Sequence, residues 1–373
     1  MSTEDYFGSA YRDARRKFLG ACSQNGVFTG AYLNEGVAGP DGESLVCDIA
    51  YIGEPSAENL LIVSSGCHGA EAGCGSGVMT GWISEGGAQR LPSNTAVLLL
   101  HTLNPWGFAY MARTTEENVD LNRNFIDFPN ETPENQDYAR LHSSFLPGDW
   151  TSNSIASIFR DMADYRQQYG EDAYLSAMRA GQYQFADGIG YGGARPSWSR
   201  NMFEHVVKLA GARRRRVAFV DIHTGVGDYA EPVFICFHPP GGAAYSRAAK
   251  WWGFKDSGRG AGRPEGRAAY NGTIFEAFPK LLPDVETTVT CLEFGTLPME
   301  DVQLGIIADN WLRRTPAAGE AGLLSARKLV RDAFYPDDSE WRSKVFPQAV
   351  SILEQTIACL SKSGAAPARK AAV

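Results

Sequence analysis

Residues 60–85 read LLIVSSGCHGAEAGCGSGVMTGWISE. The run Leu60–Ser65 is short, apolar and rich in branched side chains, which marks a buried strand. Gly66 and Gly69 bracket Cys67 and His68, and a helical pattern then runs from Gly73 to Glu85. A strand, a glycine turn and a helix form the repeating unit of an α/β fold. Runs of the same kind recur at Leu45–Ile52, Thr95–His101, Arg216–His223, Pro232–Phe237 and Thr287–Phe294. Helical patterns occupy Glu4–Cys22, Thr132–Phe145 and Ile155–Ala180. The alternation predicts an α/β architecture with a mixed central β-sheet, mostly parallel, flanked by helices.

Working outward, residues 1–360 read as one catalytic-sized domain, since no Pro/Ser-rich linker or internal repeat divides them. The stretch 131–205 has few strand signals and reads as a helical insertion. It either walls a site or decorates the surface. Residues 361–373 are small, polar and Pro-containing, and are expected to be a disordered tail.

The net charge of −8 excludes an obvious basic face for nucleic acid. Arg213-Arg214-Arg215-Arg216 is the one dense basic cluster, and it reads as a solvated turn leading into a strand. The seven cysteines form an odd set without a CxxC pair, as expected of buried thiols in a reducing compartment. The first residues lack the apolar core of a secretory signal. No apolar run approaches the roughly 20 residues that span a bilayer. The expectation is a cytoplasmic protein without nucleic-acid or membrane partners.

His68 and Glu71 stand three apart in the turn after a strand, where both side chains can converge on one ion. HxxE alone arises often by chance. A second strand, VAFVDIH, ends on His223, and open α/β sheets place their sites at such carboxyl ends. Two further segments, Asn104-Pro105-Trp106-Gly107-Phe108 and Asn118-Val119-Asp120-Leu121-Asn122-Arg123-Asn124-Phe125, precede a late Leu292-Glu293-Phe294-Gly295. In this order, from Leu45 to Gly295, the set resembles the zinc carboxypeptidase family.

The resemblance implies one Zn²⁺ per chain held by His68, Glu71 and His223, with water in the fourth position. It implies Glu293 as general base, and Asp120 as the carboxylate that orients the first zinc histidine. Asn122 and Arg123 match the pair that grips a substrate's terminal carboxylate, for which a planar guanidinium is suited. Arg113 resembles the arginine that stabilises the oxyanion, although the segment between Phe108 and Asn118 is short for the family. Tyr270, in a Gly-rich charged stretch from Gly253 to Gly272, resembles the family's mobile tyrosine; a plain surface loop fits the same residues.

The chain lacks the secreted, disulfide-bearing character of the digestive members, and its D-I-H-T-G wording is also similar to deacylases of the same fold. The implied reaction is hydrolysis of an amide next to a free carboxylate. Two substrates stay open, a peptide or an N-acyl amino acid. A metal- or peptide-binding module without turnover is the reading from another class. Gly73-Cys74-Gly75-Ser76-Gly77 lacks the spacing of a dinucleotide loop. Cys67 reads as a packing residue, though it could be a nucleophile or fourth ligand. The other histidines, His101, His142, His205 and His238, read as structural or exposed, with His101 the likeliest to lie near the site.

Overall fold

A computed structural model describes residues 2–130, 132–253, 270–316 and 319–362. Among them, seven strands form one sheet: β1 (Phe28–Ala38), β2 (Ser44–Ile52), β3 (Asn59–Ser65), β4 (Thr95–His101), β5 (Arg216–Tyr229), β6 (Pro232–Ile235) and β7 (Glu286–Gly295). Their order is β1-β2-β4-β3-β5-β7-β6. The central β4, β3, β5 and β7 are parallel, and β1, β2 and β6 complete the edges antiparallel. This is the mixed sheet the sequence predicts.

The helices are α1 (Tyr11–Gln24), α2 (Ala72–Ser84), α3 (Pro105–Tyr110), α4 (Gln136–Leu141), α5 (Ser152–Tyr169), α6 (Glu171–Arg179), α7 (Trp198–Gly211), α8 (Ala243–Trp252), α9 (Ile274–Leu281), α10 (Met299–Arg314), α11 (Glu320–Phe334) and α12 (Ser339–Lys362). Successive strand residues point to opposite faces, and the two faces have separate cores. Leu61, Val63, Val220 and Ile222 join side chains of α2 and α12. Leu60, Ile62, Phe219 and Cys291 join side chains of α7 and α9. Phe219 stacks on Phe278 at 4.6 Å between ring centroids and also meets Phe203. Removing such a ring costs about 3–5 kcal/mol, so this packing anchors the strand that carries His223. A third core unites α4–α6 with α10 and α11.

Several boundaries differ from expectation for local reasons. The first helix is α1, preceded by a single 3₁₀ turn at Thr3–Tyr6 instead of one helix from Glu4. The pattern over 155–180 breaks at Gly170, whose φ of 88° no helix tolerates, and becomes α5 and α6. Within 132–145 the α-helix is only α4, started by the Asn135 side chain accepting from the Tyr138 amide. β5 runs past His223 to Tyr229. β1 has no counterpart in the sequence reading.

The arginine run is a turn leading into β5, as expected, but only Arg213 is exposed. Arg214 donates to the carbonyls of Pro55 and Ala57, Arg215 pairs with Glu58, and Arg216 with Glu286. The charges tie loops to the start of β5. The expected tail and most of the Gly253–Gly272 stretch lie outside the described residues. Among the described residues no helix is long and apolar enough to cross a membrane.

Candidate functional site

The carboxyl ends of β3 and β7 flank the middle of β5, with Ser65 opposite Ile222 and His223 opposite Glu293. Beyond Ser65 the chain turns at Gly66 (φ 68°), a left-handed backbone that glycine adopts freely. The amides of Leu103 and Asn104 bond to the carbonyls of Ser65 and Gly66, which fastens the exit of β4 to this turn. A Cβ on Gly69 would fall 2.1 Å from the carbonyl carbon of Gly107, so the His68–Glu71 turn and α3 touch backbone to backbone. The Gly69 amide donates to the Arg113 carbonyl at 3.1 Å. Segments distant in sequence thus converge.

His68, Glu71 and His223 are each at most 3% exposed, and one donor atom of each lies within 4.8 Å of the others. Glu71 Oε2 is 3.0 Å from His223 Nδ1 and accepts from the Thr224 amide. Between that imidazole nitrogen and that carboxylate oxygen a proton or a cation must lie. Arg113 donates to Glu71 Oε1 at 2.6 Å and to His68 Nε2 at 2.7 Å. A guanidinium has only protons to give, so His68 turns a lone pair toward the centre. Its other nitrogen is 3.5 Å from Asp120 Oδ1.

Burial, and then the Arg113 charge, hold His68 well below its usual pKa, so the ring is neutral. Burial opposes ionisation of Glu71, but the His223 ring and the Arg113 guanidinium bonded to it outweigh burial and hold the carboxyl below its usual range. Burial also works against a proton on His223, yet its anionic surroundings, including Asp221, keep it well above the usual value. Glu293 is pushed up to about 8, by burial first and then by the Glu71 charge, and its Oε2 has no hydrogen-bond partner. Burial raises the Cys67 thiol to about 12 and holds the Cys291 thiol well above its usual value, so neither is a thiolate.

Two imidazoles and a carboxylate with converging donor atoms fit a divalent ion of zinc's preferences. The ready acceptance of a guanidinium by the same atoms shows that the centre demands positive charge. A cation at this centre would compete with Arg113 for Glu71 Oε1 and His68 Nε2. Groups of possible donors also join His223 to Cys67 and Asp221, and to Cys291 and Glu293.

The remaining expected residues are nearby, with some of their atoms already engaged. Asp120 Oδ1 accepts from the Asn122 amide and caps the turn Leu121–Arg123. Asn122 Oδ1 accepts from the Ile274 amide. Arg123 donates from Nε and one Nη to the Arg179 carbonyl and from the other Nη to the Asn122 carbonyl, and it lies over the Tyr270 ring at 5.2 Å. Asn122, Arg123 and Tyr270 all border one cavity of about 130 Å³ with His68, Glu71, Arg113, His223 and Glu293. His101 does not border it. It packs on Phe18 at 4.4 Å, meets Ser76 and is the register partner of Ser65, three residues before His68.

The sequence reading missed three contributions. Arg179 and Met178, from the 131–205 segment, line the cavity. So do Met299, Val302, Gln303 and Ile306, spaced as one face of α10. Asp221 sits behind His223, its Oδ2 2.6 Å from Nε2. Only Asp221 had a readable signal, since residues two apart in a strand share a face. Gly73–Gly77 lies inside the buried helix α2 and forms no loop.

Among solved structures, carboxypeptidase A from Helicoverpa armigera is similar at 12% identity, covering 92% of this chain and 73% of that one, with a TM-score of 0.44. The murein-tripeptide amidase from Escherichia coli O157 is 14% identical over 85% and 97% of the two chains, with a TM-score of 0.36. The succinylglutamate desuccinylase from Chromobacterium violaceum is 15% identical over 81% and 75%, with a TM-score of 0.37. No curated protein matches the sequence. A family model described as protein of unknown function, DUF2817, matches residues 7–348, and the chain belongs to that family.

Proposed function

We propose that the chain is a zinc-dependent hydrolase that cleaves an amide bond beside a free carboxylate. The observation that carries this reading is the convergence of His68, Glu71 and His223 within 4.8 Å, at the strand ends where Glu293 stands in register with His223. These three would hold the metal. When bound, zinc supplies a Lewis acid for the carbonyl and makes a water acidic near neutral pH.

Glu293 takes the proton from the attacking water and delivers it to the leaving nitrogen. A carboxyl raised to about 8 by burial can both gain and release a proton near neutrality. With an ion held by His68, Glu71 and His223, Arg113 would lose its bonds to Glu71 and His68 and its fork would be free for the developing oxyanion. Asp120 faces His68 from behind and favours the ring orientation found here. Arg123 receives the substrate carboxylate, with Tyr270 against its guanidinium.

A small N-acyl amino acid is favoured over a long peptide by one feature, the walling of the cavity by Met178, Arg179 and α10. The first measurement is metal content of tag-free protein, expected at about one zinc per chain and absent in His68→Ala. Incubation with acylated amino acids and with short peptides should then release a free amino acid from one panel. Protein that neither holds nor takes up zinc leaves a binding module without turnover as the better account.

A further inference from the structure

We propose that Asp221 is a positioning residue that fixes the tautomer of His223, and that Ser64 holds Asp221 in place. The inference rests on the metal centre proposed above and extends it by one layer.

Asp221 is fully buried. It lies two residues before His223 on β5, so the two side chains share a face of the sheet. Its register partner on β3 is Ser64. Oδ1 accepts from Ser64 Oγ at 2.5 Å, and Oδ2 lies 2.6 Å from His223 Nε2. The neighbours of this pair along the same face, Ile62 and Phe219, belong to an apolar core. A carboxylate in such surroundings is costly unless donors satisfy it.

Ser64 provides one donor, and His223 Nε2, 2.6 Å from Oδ2, provides the other. Nε2 therefore carries a proton, and Nδ1 is the nitrogen turned toward Glu71. A ligating histidine needs this division of labour, one nitrogen donating outward and the other presenting a lone pair. His68 uses the opposite pair of nitrogens, with Nδ1 toward Asp120 and Nε2 toward the centre. Each histidine thus has its own carboxylate behind it, on different segments.

Asp221→Asn is the decisive variant because it keeps the shape. Its amide nitrogen would donate to Nε2 and move the imidazole proton to Nδ1. Zinc affinity is measured by competition with a chelating indicator, and thermal unfolding of the metal-free proteins is followed alongside. Asp221→Asn should weaken zinc binding by about 10–100-fold, and Ser64→Ala by a few-fold. Long-range proton–nitrogen spectra of the zinc-loaded wild type should show His223 protonated at Nε2.

Wild-type protein that binds zinc while Asp221→Asn binds it within twofold overturns this role and leaves the metal centre standing. A spectrum with the proton absent from Nε2 does the same. If Asp221→Asn does not fold, Ser64→Ala and the spectrum decide, and unchanged affinity in Ser64→Ala counts against the role. Wild-type protein that takes up no zinc overturns the metal centre and this role together.

Discussion

His101 and His223 are both buried strand histidines, each at most 2% exposed, yet their surroundings drive them to opposite protonation states. His101 stacks on Phe18 and meets the Ser76 hydroxyl, and burial lowers its pKa to about 4. The carboxylate near it, Asp48, is spent on a two-pronged pair with Arg15 at 2.7 and 3.0 Å. His223 stands between two carboxylates, Asp221 and Glu71, without an arginine of its own. The first region resolves its charges internally. The second leaves an imidazole–carboxylate contact that a cation can enter, beside a cavity. Chemistry is expected where the charges are not resolved.

The most severe way to break this contrast is to remove each histidine. His223→Ala should lose zinc entirely, while His101→Gln should retain about one zinc per chain. Elemental analysis of the two purified variants checks this. Equal zinc in both would remove the distinction between the regions.

Next in size is Glu293→Gln, which keeps the volume and hydrogen-bonding shape but cannot take a proton. Turnover should fall about 10²–10⁴-fold with zinc content unchanged. Kinetics on whichever amide substrate the wild type cleaves provides the measurement. Activity within threefold of wild type would place the general base elsewhere.

The candidate site is more legible in the sequence than the walls around it. His68, Glu71, Asp120, Asn122 and Arg123 fall in compact segments, and His223 and Glu293 end apolar runs. Short-range spacing and strand patterning suffice for these. β1 goes unread because it is an edge strand with little burial, its Phe28 73% and Leu33 49% exposed, so no apolar alternation marks it. The face of α10 follows helical spacing, but nothing local says that it looks into a cavity. Arg179 is invisible for another reason. Its carbonyl holds Arg123 across 56 residues of chain, a contact only the folded 131–205 segment creates. The turn at the arginine run is legible, but the anchoring of Arg214, Arg215 and Arg216 is not, because their partners, Pro55, Ala57, Glu58 and Glu286, are remote.

The His101 side of the contrast predicts a pH dependence of stability. Its folded pKa of about 4 lies below the unfolded value of 6.5. Below pH 6.5 the unfolded chain therefore binds a proton that the folded chain refuses until about pH 4. The stabilising contribution is complete above pH 6.5 and fades as the pH falls toward 4. Between pH 7.5 and 4.5 the wild type should lose about 2–3 kcal/mol that His101→Gln does not lose. Urea unfolding of both proteins at the two pH values isolates the term from His238, which is lowered to about 4 in the same way.

The smallest effect should come from the cavity wall. Arg179 is half-buried where Arg123 is buried, and both line the cavity. Among the described residues Arg179 has no carboxylate partner, whereas the guanidinium of Arg123 is held by two backbone carbonyls. Under the proposed function, a held fork would be oriented for a substrate carboxylate. A half-solvated one contributes an attraction that water and salt screen. Arg179→Ala should therefore raise KM by a factor of about 2–10 with kcat little changed, as for the loss of roughly 1 kcal/mol of ground-state binding. Arg123→Ala should raise KM further and lower kcat as well, because the reacting amide is then poorly placed. If added salt erases the Arg179 effect but not the Arg123 effect, the two cations differ as their burial demands. An Arg179→Ala variant as damaged as Arg123→Ala would mean that the 131–205 segment contributes a principal substrate contact.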